Sequence, residues 1–320
     1  MSIGLCQFSF TGAAREVGHR PDPQDPYDLM QMAAENGLAS VEFSFHGKSD
    51  EEIAQCRAKL EELGLRVTLA GGLVNAEELR KWLPTAKALG AKSIRTVLSG
   101  ILEGDRRNPP GTEWQQYIDG LVEELKAVTG LAEELEVAIA LENHQDATSD
   151  DLLYMCEASG SPMVGVNLDC GNALAVGEDP IEYAEKIAPR IKNVHLKDYI
   201  IYLTESGYRL VRCAFGDGVV PFKELFEIFD REAPDSTRNI ENGATTARHI
   251  RLLENFFWDY YPERPLKSVL PALRIALQHA RPAEEDWRTP HEHEEPAEAR
   301  LAYEMEQFDR SVENARKLLS

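Results

Sequence analysis

The chain has 320 residues, 43% hydrophobic and 28% charged, with a formal net charge of −21. That length buries a core without disulfides or a structural metal, and the acidity argues against a nucleic-acid partner, which needs a basic surface. Neither a basic stretch leading into an apolar run nor a run of about 18 apolar residues occurs, so no secretory leader or membrane span is expected, and five scattered cysteines without a CxxC pair read as reduced thiols of a cytoplasmic protein.

Short β-branched runs alternate with longer amphipathic stretches, the βαβα rhythm of a mostly parallel sheet. The first predicted strand is Ile3–Phe8, followed by a loop over 11–26 that carries three prolines and His19. Ser40–Phe43 precedes a helix over Asp50–Leu63, with Ile53, Cys56, Leu60 and Leu63 on one face and Gly64 at its C-cap. Arg66–Ala70 is followed by a helix over Ala76–Leu89, with Asn75 as N-cap and Gly90 as C-cap. Ser93–Leu98 leads into a loop over 99–113 that contains Asn108-Pro109-Pro110. Val137–Glu142, Val164–Asp169 and Ile191–Leu196 are the next three strands. A loop over 199–220, centred on Gly216-Asp217-Gly218, then precedes the eighth strand, Arg238–Glu241, and a closing helix, Thr245–Trp258.

Eight strands, each trailed by a helix or loop, predict a (β/α)8 TIM barrel over residues 1–261. An open doubly wound sheet is the alternative; it lacks the glycine-rich turn after the first strand that marks a nucleotide site. The three long loops all follow strands, so they belong to the catalytic end and can form a lid. Residues 262–320 read as a charged helical C-terminal extension, broken near Pro282–Pro296 and packed on the barrel or on a partner subunit. Within it His291-Glu-His293-Glu-Glu reads as a solvated charge run. Five large rings in Phe256–Tyr261 cannot all point inward from one helix. They predict a homodimer or homotetramer, with packing beneath the chain's own tail as the alternative.

Four successive strands deliver a ligand-type side chain at their C-terminal ends: Glu142, Asp169, His195 and Glu241. In a barrel these ends ring one opening, so the four are expected to converge. A single such residue is ordinarily a helix cap or an ion-pair partner. Four in sequence would each leave a polar group facing the axis, and three crowded carboxylates repel unless a cation neutralises them. One imidazole with three carboxylates suits Mn²⁺ best, or Mg²⁺, with Co²⁺ and Zn²⁺ also able to bind. His144, two residues past Glu142, is either a proton donor or acceptor at the mouth or a brace for a ligand. Lys197, two past His195, either polarises a substrate oxygen or pairs with Asp169 or Asp198.

These four strand ends resemble the xylose-isomerase-like barrel superfamily, the sugar phosphate isomerase/epimerase group with its ketose 3-epimerases and C-glycoside deglycosidase relatives. The likeness covers roughly residues 3–260. It implies that Glu142, Asp169, His195 and Glu241 bind one metal ion and that the two glutamates form an acid/base pair on opposite sides of a sugar. It further implies that Arg212, within Arg212-Cys-Ala-Phe-Gly-Asp-Gly218, contacts substrate. The chain departs from ketose epimerases at Asn172, where they usually carry histidine; asparagine can hydrogen-bond a sugar hydroxyl but cannot titrate near neutrality. Eight histidines are too few for the three-metal endonuclease branch.

The implied activity is a metal-dependent sugar isomerase or epimerase that removes a proton next to a carbonyl through an enediolate stabilised by the ion. A lyase cleaving 3-keto C- or O-glycosides is the alternative, with His144 serving the leaving group and a small second subunit as a possible partner. A non-catalytic sugar-binding barrel is the remaining reading. The substrate expected is a small-molecule sugar or keto-sugar.

Overall fold

In the computed structural model, which describes residues 3–45, 48–107, 113–243 and 245–319, eight parallel strands close into a barrel. The strands of the chain are β1 (Gly4–Cys6), β2 (Ser40–Phe43), β3 (Arg66–Leu73), β4 (Ser93–Val97), β5 (Ala138–Glu142), β6 (Val164–Asp169), β7 (Ile191–Leu196), β8 (Asp198–Thr204), β9 (Gly207–Cys213), β10 (Thr237–Ile240) and β11 (Arg248–Ile250). The barrel order is β1-β10-β7-β6-β5-β4-β3-β2, and β8, β9 and β11 form a separate antiparallel sheet. β1 and β10 close the ring, with Gly4 opposite Asn239 and Leu5 opposite Ile240. All eight barrel strands coincide with the sequence expectation to within a few residues.

Local chemistry sets the helix ends. Ser49 accepts from the Glu52 amide at 3.3 Å while the Glu52 carboxylate accepts from the Ser49 amide at 2.8 Å, a reciprocal cap that starts Asp50–Leu63. Asn75 caps Ala76–Leu89 through the Glu78 amide at 3.0 Å. Gly64 and Gly90 end these helices at φ of +66° and +83°, a conformation that costs a side chain about 1–2 kcal/mol. Leu79, Leu83 and Ala86 of the second helix are fully buried, so its apolar stripe faces the barrel wall.

Inside the barrel the packing is polar where an apolar layer is usual. The Thr68 and Thr237 hydroxyls pair at 2.7 Å, Ser40 donates to Asn239 at 2.7 Å, and Asn193 donates to Glu42 at 2.7 Å. A satisfied buried network of this kind rigidifies its members, and here it seats Glu42 beneath the mouth.

Two sequence expectations are corrected. Residues 199–220 do not form a plain loop: β8 and β9 are a hairpin turning at Glu205-Ser206, held because Asp198 accepts the Tyr199, Gly216, Gly218 and Val220 amides at 2.8–3.0 Å. Thr245–Trp258 is not a helix. Arg248–Ile250 instead satisfies the open edge of β9 as a third strand, and only Asn255–Trp258 coils, as a 3₁₀ turn. The Asn108-Pro109-Pro110 segment lies outside the described residues.

The aromatic run 256–261 is accommodated largely within the chain. Phe257 and Tyr261 are buried and stack at 5.4 Å, Arg107 lies over Phe256, and the Trp258 indole donates to the Leu252 carbonyl at 2.8 Å. Tyr260 remains exposed. The extension holds two helices, Leu270–His279 and Ala297–Leu318, separated where the prolines predicted a break. The second packs on the rim at the C-terminal ends of the barrel strands: Phe308 meets Phe10 at 5.8 Å, Ser311 bonds Asn242 and the Phe215 amide at 3.0 Å, and Glu304 accepts from Thr11. His291 joins this contact, 3.4 Å from Glu304, so it is not part of a fully solvated run. Because Phe308 is 1% exposed, Phe308→Ala is expected to destabilise the protein by about 3–5 kcal/mol in urea denaturation. A loss below about 1 kcal/mol would show that the C-terminal helix is not docked on the rim.

Candidate active site

The barrel register brings the four strand-end residues together. Glu142 ends β5 and Asp169 ends β6; His195 pairs directly across from Asp169 on β7, and Glu241 follows β10. All four are buried, and one ligand atom from each lies within 4.8 Å of the others. His195 Nδ1 is 2.6 Å from Glu241 Oε2 and 3.7 Å from Glu142 Oε1. The shorter approach lacks hydrogen-bond alignment: Asp169 Oδ1, His195 Nδ1 and Glu241 Oε2 are all buried and unbonded. Such orphaned atoms are costly. Three of them on three of the four residues fit a shared cation, and the donor set of three carboxylates and one imidazole fits a hard divalent ion.

Electrostatics lead to the same place. Burial opposes ionisation of Glu142, but Arg95 at 3.3 Å and His195 outweigh it and hold its carboxyl down to about 2. Burial likewise opposes the charge of Glu241, which Lys197 and His195 keep ionised. Asp169 goes the other way, pushed by burial up to about 7 despite Lys197. His195 is raised well above its usual range, Glu42 and Glu241 outweighing burial. Both shifts favour a proton on His195 and on Asp169 as relief from the crowded negative charge, relief that a divalent cation would also supply.

The groups around the cluster orient it. His195 Nε2 lies 2.9 Å from Glu42 Oε2, which leaves Nδ1 for the cluster. Glu42 is itself held by Arg95 Nε at 3.1 Å. Asn143 clamps the Asp169 backbone, accepting its amide at 2.7 Å and donating to its carbonyl at 3.0 Å. Glu42 and Arg95 were not singled out from the sequence. Their signal is a charged residue in the middle of a short strand, Val-Glu42-Phe and Ile-Arg95-Thr, where alternation admits it only to the barrel interior.

A cavity of about 450 Å³ opens above Glu142 and Glu241. Phe8, Phe10, Thr11, Gln24, Val97 and Gly243 line it together with Arg95, His144, Arg212 and Thr245. Of the residues expected to meet substrate, His144 and Arg212 face this cavity. Lys197 and Asn172 do not: Lys197 Nζ is turned onto Asp169 and lies 3.2 Å from Glu241 Oε1, while Asn172 donates to Asp169 Oδ2 at 2.6 Å and accepts from Tyr199 at 2.7 Å. Both are engaged by the buried Asp169 carboxylate, which draws them to the cluster.

Residues 30–249 match the xylose isomerase-like TIM barrel family, and the chain belongs to it. A 3-oxo-isoapionate decarboxylase of Pectobacterium atrosepticum is 25% identical over 233 residues, 71% of this chain and 80% of that protein. An inosose dehydratase of Bacillus thuringiensis is 31% identical over 130 residues, 36% of this chain and 42% of its own length. Among solved structures, L-ribulose 3-epimerase superposes with a TM-score of 0.57 at 16% identity, covering 99% of this chain and 98% of that one. D-psicose 3-epimerase also gives 0.57 at 16% identity, over 79% and 92%. At that identity the structures speak to the fold alone. These four relatives are enzymes by name, two of them epimerases, one a decarboxylase and one a dehydratase.

If Glu42 orients His195, Glu42→Gln should weaken Mn²⁺ binding about 10–100-fold with the circular dichroism spectrum unchanged. Unaltered affinity in calorimetric titration would remove Glu42 from the site.

Proposed function

We propose that the protein is a divalent-metal-dependent sugar isomerase or epimerase that moves a proton at carbon next to a carbonyl. The observation that carries this reading is the pair Glu142 and Glu241, both favoured as carboxylates by the cations around them, both reaching the cavity and both members of the cluster that holds three orphaned ligand atoms. A divalent ion held by Glu142, Asp169, His195 and Glu241, with Mn²⁺ the best match to the donor set, supplies Lewis-acid polarisation of a substrate carbonyl.

The chain's own groups do the rest. Glu142 and Glu241 are the candidates to take a proton from the substrate carbon and to return one. Phe8 and Phe10 offer apolar surface for the carbon face of a sugar, and Thr11, Gln24 and Thr245 offer polar atoms for its hydroxyls. Low exposure of the whole cluster keeps bulk water from competing for the abstracted proton.

A lyase is the second reading, favoured by His144. Burial pushes its imidazole down to about 4 against the pull of Glu142, so it is neutral, and its Nδ1 is unbonded at the cavity wall. A neutral imidazole there can donate its N–H as a hydrogen bond to the oxygen of a departing group and so stabilise the charge that develops on it. The reading also includes assembly as a homo-oligomer, supported by Leu270 and Leu277, which lie exposed on the helix Leu270–His279, and by exposed Leu266 in the turn before it. Light scattering should then give at least a dimer, and a monodisperse monomer would remove that element.

Exchange of substrate α-protons with D₂O, followed by NMR over a panel of keto-sugars, tests the chemistry. Exchange should require Mn²⁺, stop on chelation, and fall about 100-fold or more in Glu142→Gln and in Glu241→Gln. Exchange indifferent to chelation would contradict the proposal. Loss of His144 that blocks product release from a keto-glycoside but spares exchange would favour the lyase.

A further inference from the structure

The buried cations of the barrel mouth are matched by carboxylates, with one exception. Arg95 meets Glu42 and Glu142, and Lys197 meets Asp169 and Glu241. Arg212 lines the same cavity at 6% exposure, yet makes no ion pair among the described residues. Its Nη1 donates to the Thr245 hydroxyl, and its Nε is buried without a hydrogen bond.

A second arginine stands beside it. Arg248 on β11 is opposite Leu210, and Arg212 is two residues along from Leu210 on β9, so both side chains leave the same face of the small sheet. Arg248 Nη1 reaches the Thr246 hydroxyl at 3.3 Å, and its Nε is again buried and unbonded. The acids nearest to Arg248 are already engaged: Glu103 by Arg251 at 2.8 Å and Glu292 by the Ala247 and Thr289 amides at 2.9 and 3.0 Å. Burial and the neighbouring Arg212 both disfavour the charge on Arg248. A chain with a net charge of −21 has no shortage of carboxylates to place against two guanidiniums. An uncompensated buried cation is costly unless a ligand completes it.

We infer that Arg212, with Arg248 beside it, forms a subsite for an anionic substituent of the substrate, a carboxylate or a phosphate. This rests on the reading that the cavity binds a small keto-sugar above Glu142 and Glu241. A neutral sugar would leave the Arg212 fork facing hydroxyls alone, whereas a carboxylate or phosphate offers the paired acceptors that a guanidinium binds bidentately. The cavity volume of about 450 Å³ accommodates a six-carbon sugar acid or a sugar monophosphate.

The test is calorimetric binding to the full-length, Mn²⁺-loaded protein with three probes: D-fructose, 5-keto-D-gluconate and D-fructose 6-phosphate. One or both anions should bind about tenfold or more tightly than fructose. Arg212→Gln should abolish that preference with metal content unchanged, Arg248→Gln should reduce it, and Arg212→Lys should retain part of it. Preference for the keto-acid identifies a carboxylate subsite, and preference for the phosphate identifies a phosphate subsite. Equal binding of all three, failure of both anions to bind at millimolar concentration, or a preference that survives Arg212→Gln would overturn the inference. The last result would place the anion on the metal. Because binding is read without turnover, a chelator-insensitive proton exchange alongside an intact anion preference would sink the proposed chemistry and leave the subsite standing.

Discussion

Four carboxylates, Glu42, Glu142, Asp169 and Glu241, are buried at one end of a barrel, and among the described residues only Arg95 and Lys197 are permanent cations in ion-pair contact with them. Counted as charges, this leaves two negatives uncompensated around a single imidazole. Charge of that density cannot be removed from water without a partner, because the desolvation cost per ion is several kcal/mol even after relaxation. A dication with a neutral His195 closes the balance, and so do two protons, on His195 and on Asp169. The acid–base state of every group in the mouth therefore depends on what occupies the space between Glu142, Asp169, His195 and Glu241.

That constraint accounts for the unusual interior. A barrel filled with apolar layers could not hold Glu42 ionised, so Ser40, Thr68, Asn193, Thr237 and Asn239 replace part of the hydrophobic filling with a hydrogen-bonded network. The rim is fixed by separate means. The C-terminal helix ties the segment after β1 through Phe10 and Thr11, the residue after Glu241 through Asn242, and the hairpin's return through Phe215 and Asp217. It therefore holds three pieces of cavity wall at once, which makes the extension a part of the site's architecture.

Much of this was legible in the sequence because periodicity and caps are local. Eight strands and the helices over 50–63 and 76–89 follow from alternation, apolar periodicity, Asn75, Gly64 and Gly90, and the ligand cluster follows from strand ends that a barrel must bring together. What escaped was decided by tertiary partners. Tyr199–Thr204 carries strand formers, yet its hairpin depends on Asp198 gathering, besides the adjacent Tyr199 amide, three amides from residues far along the loop. Thr245–Trp258 has a helical pattern that loses to the open edge of β9. For Lys197 the pairing with Asp169, one of the alternatives its position offered, is the one found, whereas spacing cannot show that Asn172 is held by the same carboxylate and so turned from the cavity. Glu42 and Arg95 carry a signal that was available, a charge inside a strand of four or five residues.

Occupancy of the space between the four strand ends is the claim on which the remainder rests. Crystals grown from Mn²⁺-loaded protein, measured at wavelengths above and below the manganese edge, test it directly. One anomalous peak within coordination distance of Glu142, Asp169, His195 and Glu241 is the expected result. A peak on Cys6, Glu42 and His195, a peak at His291 and His293, or an empty cluster in protein shown to carry one equivalent of manganese would contradict it.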